Sequence, residues 1–260
     1  MRKVFIIIFI VTIAFPGTDI HCQVTLFFDA SPLYSFRSYV VKDYNDPTDD
    51  FPSGKLIFQY FNKFYDEKEN PRMGFDFTAG INYTPKKWLE LGSGIGYKII
   101  GESVEYFPLI SRFEYSEQLE QLIVLNDTVQ KTEYNTYQYL KLPFDIQWII
   151  IRKEKLSMGI ILGTDLDILI KSKVMNHFPD TQVDLKYSYS DFSKVALNIH
   201  GGIQADLKLW NNTKLFISPQ FERYITPNAI YNIGTDSDFY CRINQYNYYG
   251  QIKLGLKYDL

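Results

Sequence analysis

The stretch "GFDFTAGINYTPKKWLELGSGIGY", residues 74–97, alternates with a period of two on both sides of the turn at "TPKK". Met73, Phe75, Phe77, Ala79, Ile81 and Tyr83 share one face, and Leu89, Leu91, Ile95, Tyr97 and Ile99 share another. Between them stand Gly74, Asp76, Thr78, Gly80 and Asn82, then Glu90, Gly92, Gly94, Gly96 and Lys98. Alternation across a short turn predicts a β-hairpin. It leaves open what covers the apolar face. A soluble sandwich would bury that face in protein, and a membrane barrel would turn it to lipid.

The same period recurs outward from the hairpin. Apolar residues fill the even positions of 24–36, 140–148, 156–170 and 246–260 and the odd positions of 195–209 and 215–221, with small or polar exceptions at Thr164, Gly201 and Gly250. With the hairpin this makes eight predicted strands. None of the eight apolar faces carries Asp, Glu, Lys or Arg, although 22% of the chain is charged. The charges fall on the intervening positions, among them Asp29, Asp76, Glu90, Lys98, Lys141, Asp145, Asp165, Asp167, Asp206, Lys208, Lys253, Lys257 and Asp259.

The joins supply the second clue. Those near 84–88, 149–155 and 210–214 are short and contain "TPKK", "RKEK" and "WNNT". Those near 38–71, 100–138, 172–192 and 223–244 are long and polar. Short and long joins alternate, which is the layout of a transmembrane barrel with short periplasmic turns and longer extracellular loops. The strands read as about 9–15 residues, against the roughly 9–11 that a tilted spanning strand needs. Tyr83, Trp88, Trp148 and Trp210 mark the short-turn ends, and Tyr34, Tyr97, Tyr139 and Tyr246 lie toward the long joins. Not all share the lipid-facing phase, Trp88 and Tyr139 among the exceptions; the rest fit aromatic girdles.

The first 22 residues read as a separate object. Arg2 and Lys3 precede the uncharged run "VFIIIFIVTIAF", and Pro16 and Gly17 follow it. This is the layout of a secretory signal peptide, too short for a spanning helix of about 20 residues. The expected organisation is a signal peptide over 1–22 and one β-barrel domain over 23–260. Cys22 and Cys241 are the only cysteines, too few for a disulfide framework or a zinc cluster. Cys22, beside the expected cleavage point, is also a candidate for lipid modification. The formal charge of −3, with no basic stripe, gives no sign of a nucleic-acid partner. The apolar faces are therefore expected to meet lipid. The fold class is all-β, an eight-stranded antiparallel up-and-down transmembrane barrel with long extracellular loops.

"YLKLPFDIQW" (139–148), its tight turn and "GIILGTDLDILIKS" (159–172) resemble the small outer-membrane β-barrel family of Gram-negative bacteria, whose members include PorT-like proteins. The paired "GFDFTAGINY" and "LELGSGIGYKI" carry the same likeness. The last residues, "KLGLKYDL", are similar to the C-terminal assembly signal of such barrels, with Lys253, Gly255, Tyr258 and Leu260 at the matching positions and Leu in place of the commoner Phe. The resemblance spans roughly 23–260. It implies a bacterial outer-membrane location, with membrane lipid and the barrel-assembly machinery as partners. It brings no catalytic residues.

An eight-stranded barrel has an interior just wide enough for side chains to fill. The inward phase supplies both signs of charge, so a lumen network is expected among Asp76, Glu90, Lys98, Lys141, Asp145, Asp165, Asp167, Asp206, Lys208 and Lys253. Asp165 and Asp167, two apart on one strand, read as members of it rather than as an acid–base pair. His200 reads as a hydrogen-bonded lumen residue. A lipid-modifying enzyme would have to present its nucleophile–His pair to lipid, and His200 faces the other way. Gly92, Gly94 and Gly96 lack the following helix of a phosphate loop and read as relief of crowding. "DYNDPTDDF" (43–51) reads as a solvated acidic loop without calcium-site spacing. Pro143 and Pro219, inside predicted strands, suggest bulges. No metal or cofactor motif is present, and the chain does not read as an enzyme. The expected role is structural or interaction-based through the long loops, with a PorT-like accessory of a secretion or surface-assembly system as the alternative.

Overall fold

The period-two pattern becomes pairing around a closed ring. The structure is a computed structural model, and it describes residues 23–45, 69–106, 109–116, 121–128, 131–178, 183–187, 193–233 and 240–260. The expected signal segment 1–22 and most of "DYNDPTDDF" lie outside the described residues. Among the described residues twelve strands run in chain order. Eight form the ring: β1 (Gln23–Asn45), β2 (Glu69–Lys86), β3 (Leu89–Tyr106), β6 (Lys131–Arg152), β7 (Leu156–Phe178), β9 (Val195–Lys208), β10 (Thr213–Tyr224) and β12 (Tyr240–Asp259). Each pairs antiparallel with the next, and β12 pairs with β1 from Thr25↔Asp259 to Asn45↔Tyr240, closing the barrel. Closure removes every sheet edge inside the membrane, where an unpaired backbone group costs several kcal/mol.

Four shorter strands sit in the long joins. β4 (Leu109–Ser116) and β5 (Gln121–Thr128) form a separate hairpin. β8 (Val183–Tyr187) pairs with the end of β7, and β11 (Ala229–Ile233) with the start of β12.

The ring strands are longer than the sequence pattern suggests. β1 and β7 have 23 residues each and β6 has 22. At about 3.3 Å per residue, such strands outreach the ~30 Å hydrocarbon core even when tilted. Parts of the joins read as loops, such as 131–138 and 172–178, therefore continue as paired strand. The apolar alternation fades there, but backbone pairing does not need it.

The prolines also differ from expectation. The ladder register runs through Pro143 and Pro219 without a bulge. Each keeps its pairing on one side, Pro143↔Asp165 and Pro219↔Ile252, and drops out of the ladder on the other. In an antiparallel strand a residue aims its N–H at one neighbour only, so the missing proline donor costs pairing on that side alone.

Outward residues form an apolar band. Phe28, Phe75, Ile95, Phe144, Ile203, Phe221 and Leu254 are all exposed. Exposed apolar surface on this scale would be an aggregation hazard in water and is what a bilayer requires. Inward residues are mostly polar and charged, with one apolar layer of Leu33, Ile100, Tyr137, Tyr139, Val174, Ala196, Tyr224 and Tyr249.

Candidate functional site: the ionic lumen

Alternation sends Lys98 of β3, Lys141 of β6, Asp165 and Asp167 of β7, Glu222 of β10 and Tyr249 of β12 into one layer midway along the barrel. All six are fully buried. Lys98 Nζ donates to Asp167 Oδ2 at 2.8 Å, to Glu222 Oε1 at 2.6 Å and to the Tyr249 hydroxyl. Asp167 also accepts from Asn198 at 3.0 Å and from the Tyr224 hydroxyl. Glu222 accepts from Gln251 at 3.1 Å, and Ser31 donates to Gln251 at 2.9 Å. Lys141 Nζ donates to Asp76 Oδ2 at 2.5 Å. Buried charges persist only when paired and hydrogen-bonded, and these are held from several strands at once.

Asp165 is placed differently. It lies 3.6 Å from Lys98, 3.7 Å from Lys141 and 3.5 Å from His200 Nδ1, yet neither of its oxygens accepts a hydrogen bond. His200 turns its other nitrogen, Nε2, to Asp145 Oδ1 at 2.6 Å. Gly163 makes room for that contact, since a Cβ there would stand 2.4 Å from both atoms. Asp145, Asp165 and His200 are the one trio among the described residues whose donor atoms could surround a metal ion. Lys98 and Lys141 already bring positive charge to Asp165, and Asp145 already holds His200 Nε2. Each member of the trio is thus already engaged by protein groups.

Nearer the short turns lies a second cluster. Lys257 Nζ donates to Glu90 Oε1 at 2.5 Å and reaches Gln147 Oε1 and Asp206 Oδ2 at 3.4 Å. Asn82 donates to Glu90 at 2.7 Å, and Gln204 to Asp206 at 2.7 Å. Beside it a cavity of about 20 Å³ is lined by Asp29, Asp145, Lys253 and Phe216, among others. That is space for roughly one water molecule.

Three points depart from the sequence reading. Lys208 does not join the lumen cluster. It is the last residue of β9, one step past the filled interior, and stands exposed at the mouth. Lys257 and Glu222 are central although the expected network does not include them. Glu222 falls one residue past the strand as read, and the alternation through Phe221 would have carried it inward. The charges also do not balance one for one. Asp29, Asp76, Glu90, Glu102, Asp165, Asp167, Asp206 and Glu222 are buried against Lys98, Lys141, Lys253 and Lys257. Neutral donors serve much of the surplus: Tyr137 donates to Glu102 at 2.8 Å, beside the contacts from Tyr224, Asn198, Gln251 and Asn82.

Of the terminal motif, Lys253 and Gly255 face the interior and Tyr258 and Leu260 face outward. A Cβ on Gly255 would stand 2.5 Å from the Phe216 ring. Trp88, Trp148 and Trp210 are exposed at the turn end, whereas Tyr139 is buried.

A closed ring of eight strands with an apolar exterior and a charged interior defines a membrane β-barrel. The sequence matches the outer membrane protein beta-barrel domain family over residues 29–228, and the chain belongs to that family. Its location is the bacterial outer membrane. Among solved structures it is similar to Neisserial surface protein A, with 9% identity, coverage of 90% of this chain and 96% of that one, and a TM-score of 0.38. It is similar to the outer membrane protease OmpT from Escherichia coli, with 11% identity, coverage of 94% and 99%, and a TM-score of 0.39. It is also similar to Ail, the attachment invasion locus protein of Yersinia pestis, with 10% identity, coverage of 92% and 99%, and a TM-score of 0.35. No curated protein sequence matches the chain.

Proposed function

We propose that this protein is a non-conducting barrel whose filled lumen braces a platform of strands and loops outside the membrane, and that its role is structural or interaction-based rather than enzymatic. The observation that carries this reading is the fully buried layer around Lys98, which ties β3, β7, β10 and β12 together across the interior. A conducting pore needs a continuous wet path, and this layer crosses it with paired charges. The platform reading rests on the ring strands that outreach the membrane and on the added pairs β4–β5, β7–β8 and β11–β12. The partners proposed for it are surface or secretion proteins. The non-enzymatic reading rests on His200, which is buried inside the lumen and engaged by Asp145.

Purified protein in planar bilayers gives the test. The expected result is no stepwise current. Stable steps comparable to those of a general porin would overturn the sealed-lumen proposal.

A further inference from the structure

Four buried polar groups from four strands line the cavity of about 20 Å³ near the short turns: Asp29 of β1, Gln147 of β6, Gln220 of β10 and Lys253 of β12. All four are at most 6% exposed. Asp29 Oδ1, Gln147 Nε2 and Gln220 Oε1 have no hydrogen-bond partner among the described residues. Lys253 has neither a hydrogen bond nor an ion pair among them, although Asp29, opposite Gly255, stands diagonally across the β1–β12 ladder from it. The two amides are oriented by their other ends. Gln147 Oε1 accepts from Gln204 at 3.1 Å and from Lys257 at 3.4 Å, and Gln220 Nε2 donates to Ser218 Oγ at 2.9 Å. Gln147 is therefore left with an N–H to give, and Gln220 with a carbonyl oxygen to receive.

Buried polar groups rarely stay unpaired, because each has given up water that would have satisfied it. For a charged ammonium or carboxylate that loss is larger still. The set around this cavity has a definite composition. Lys253 and Gln147 donate, and Asp29 and Gln220 accept. One water molecule accepts two hydrogen bonds and donates two, and a space of this size holds one. Ions fit worse. A cation would meet the ammonium groups of Lys253 and Lys257, and an anion would meet the carboxylates of Asp29, Asp145 and Glu90, all of which line the same space. The closing seam gives the water a structural task. The β1–β12 register passes from Ala30↔Leu254 to Leu33↔Gln251 and leaves out Ser31 and Pro32. Pro32 has no N–H to give β12, so the closing ladder is thinned beside Ile252 and Lys253.

We propose that this cavity binds one ordered water molecule, which accepts hydrogen bonds from Lys253 and Gln147, donates to Asp29 and Gln220, and so bridges β1 to β12 where their ladder is thinned. An aspartate and a lysine too far apart to pair directly are joined through it. The water is held from four strands and sits on the turn side of the buried layer around Lys98. The proposal concerns solvent at one address and goes beyond the sealed-lumen reading, so a measured current would not decide it.

Crystals of the folded protein that diffract far enough to show ordered solvent give the test, with one crystal soaked in bromide and another in rubidium. A single solvent peak is expected within about 2.7–3.2 Å of Lys253 Nζ, Asp29 Oδ1, Gln147 Nε2 and Gln220 Oε1, with no anomalous signal from either ion. In bilayers, nuclear magnetic resonance should show transfer of magnetisation from water protons to the Lys253 ammonium. The Gln147→Met/Gln220→Met variant removes one donor and one acceptor and puts apolar side chains in their place. It should lose the solvent peak and most of that transfer, while transfer to Lys214, part-exposed at the mouth, stays unchanged. A heat-dependent mobility shift on gels checks that the variant is folded. An empty cavity, a direct ion pair between Lys253 and Asp29, or a bromide or rubidium peak at the site would overturn the proposal. So would a water retained there in the folded variant.

Discussion

Midway along the lumen, Lys98 and its carboxylates Asp167 and Glu222 have no exposed side-chain surface. In the adjoining apolar layer Tyr224 packs against Tyr139 and against Tyr249, with ring centroids 6.2 Å apart in each pair. Near the short turns, Lys257 plays the corresponding part for Glu90 and Asp206, but those side chains keep 2–10% of their surface, and a water-sized cavity lies beside them. Beyond them the mouth is lined by exposed lysines. The chemistry is the same and the access to water is not. The mid-barrel layer has no solvent to fall back on when a partner is lost, whereas the turn-end cluster can admit it.

The largest expected effect comes from breaking the turn end at its seams. Tyr258 is in register with Leu26 and Thr213, Asp259 N–H donates to the Asn212 carbonyl at 2.8 Å, and Leu260 N–H donates to the Val24 carbonyl at 3.0 Å. Deleting Tyr258 to Leu260 frees edges on both β1 and β10, at several kcal/mol per unpaired group in lipid. The truncated chain should be degraded or accumulate in the periplasm, as fractionation would show. Normal insertion would mean that closure there is dispensable.

Next comes Lys98→Met, which leaves Asp167 and Glu222 facing Asp165 without the ammonium between them. Loss of one partner from a buried ionic cluster costs about 3–5 kcal/mol. The midpoint of the heat-dependent gel shift should fall well below that of the unmutated protein. Lys257→Met tests the other half of the comparison. Water can reach Glu90 and Asp206, and Asn82 and Gln204 still donate to them. The expected cost is about 1–3 kcal/mol, the range for an under-satisfied buried polar group. If the two lysine variants lost equal stability, the wet and dry halves would not differ in the way described.

The wall of this barrel was legible in the sequence because lipid on one side and packed polar groups on the other give a strong two-residue contrast. Phe75, Phe77 and Ile81 against Asp76, Thr78 and Asn82 need no partner to be understood. The contrast disappears in 131–138, "KTEYNTYQ", so the upper strands were hidden. The lumen's composition could be read, but its pairings could not. Lys98 meets Glu222 across 124 residues and Lys257 meets Glu90 across 167, distances set by which strands the ring brings face to face. Lys208 shows the converse. Its phase is inward, but phase does not reveal that β9 has passed the filled part of the lumen. Gly163 could be read only as a small residue until His200 and Asp145 were seen to meet over it.

The smallest effect is expected at a residue that the sequence made look indispensable. Paired with Asp167 on one strand, Asp165 invites the view that its loss would strand a lysine. The geometry argues otherwise. Lys98 retains Asp167, Glu222 and Tyr249, and Lys141 retains Asp76 at 2.5 Å. Asp165 itself accepts no hydrogen bond and meets Lys98, Lys141 and His200 only at 3.5–3.7 Å. It also belongs to the charge type in surplus, so its removal brings the interior closer to neutrality. Leucine is close to aspartate in length and adds apolar contact with the neighbouring layer. Asp165→Leu should therefore shift stability by about 1 kcal/mol or less, in line with the modest net worth of an ordinary buried polar contact. The gel-shift midpoint should stay close to that of the unmutated protein and far above that of Lys98→Met. A fall as deep as the lysine variant's would show that Asp165, rather than Lys98, is the keystone of the mid-barrel layer.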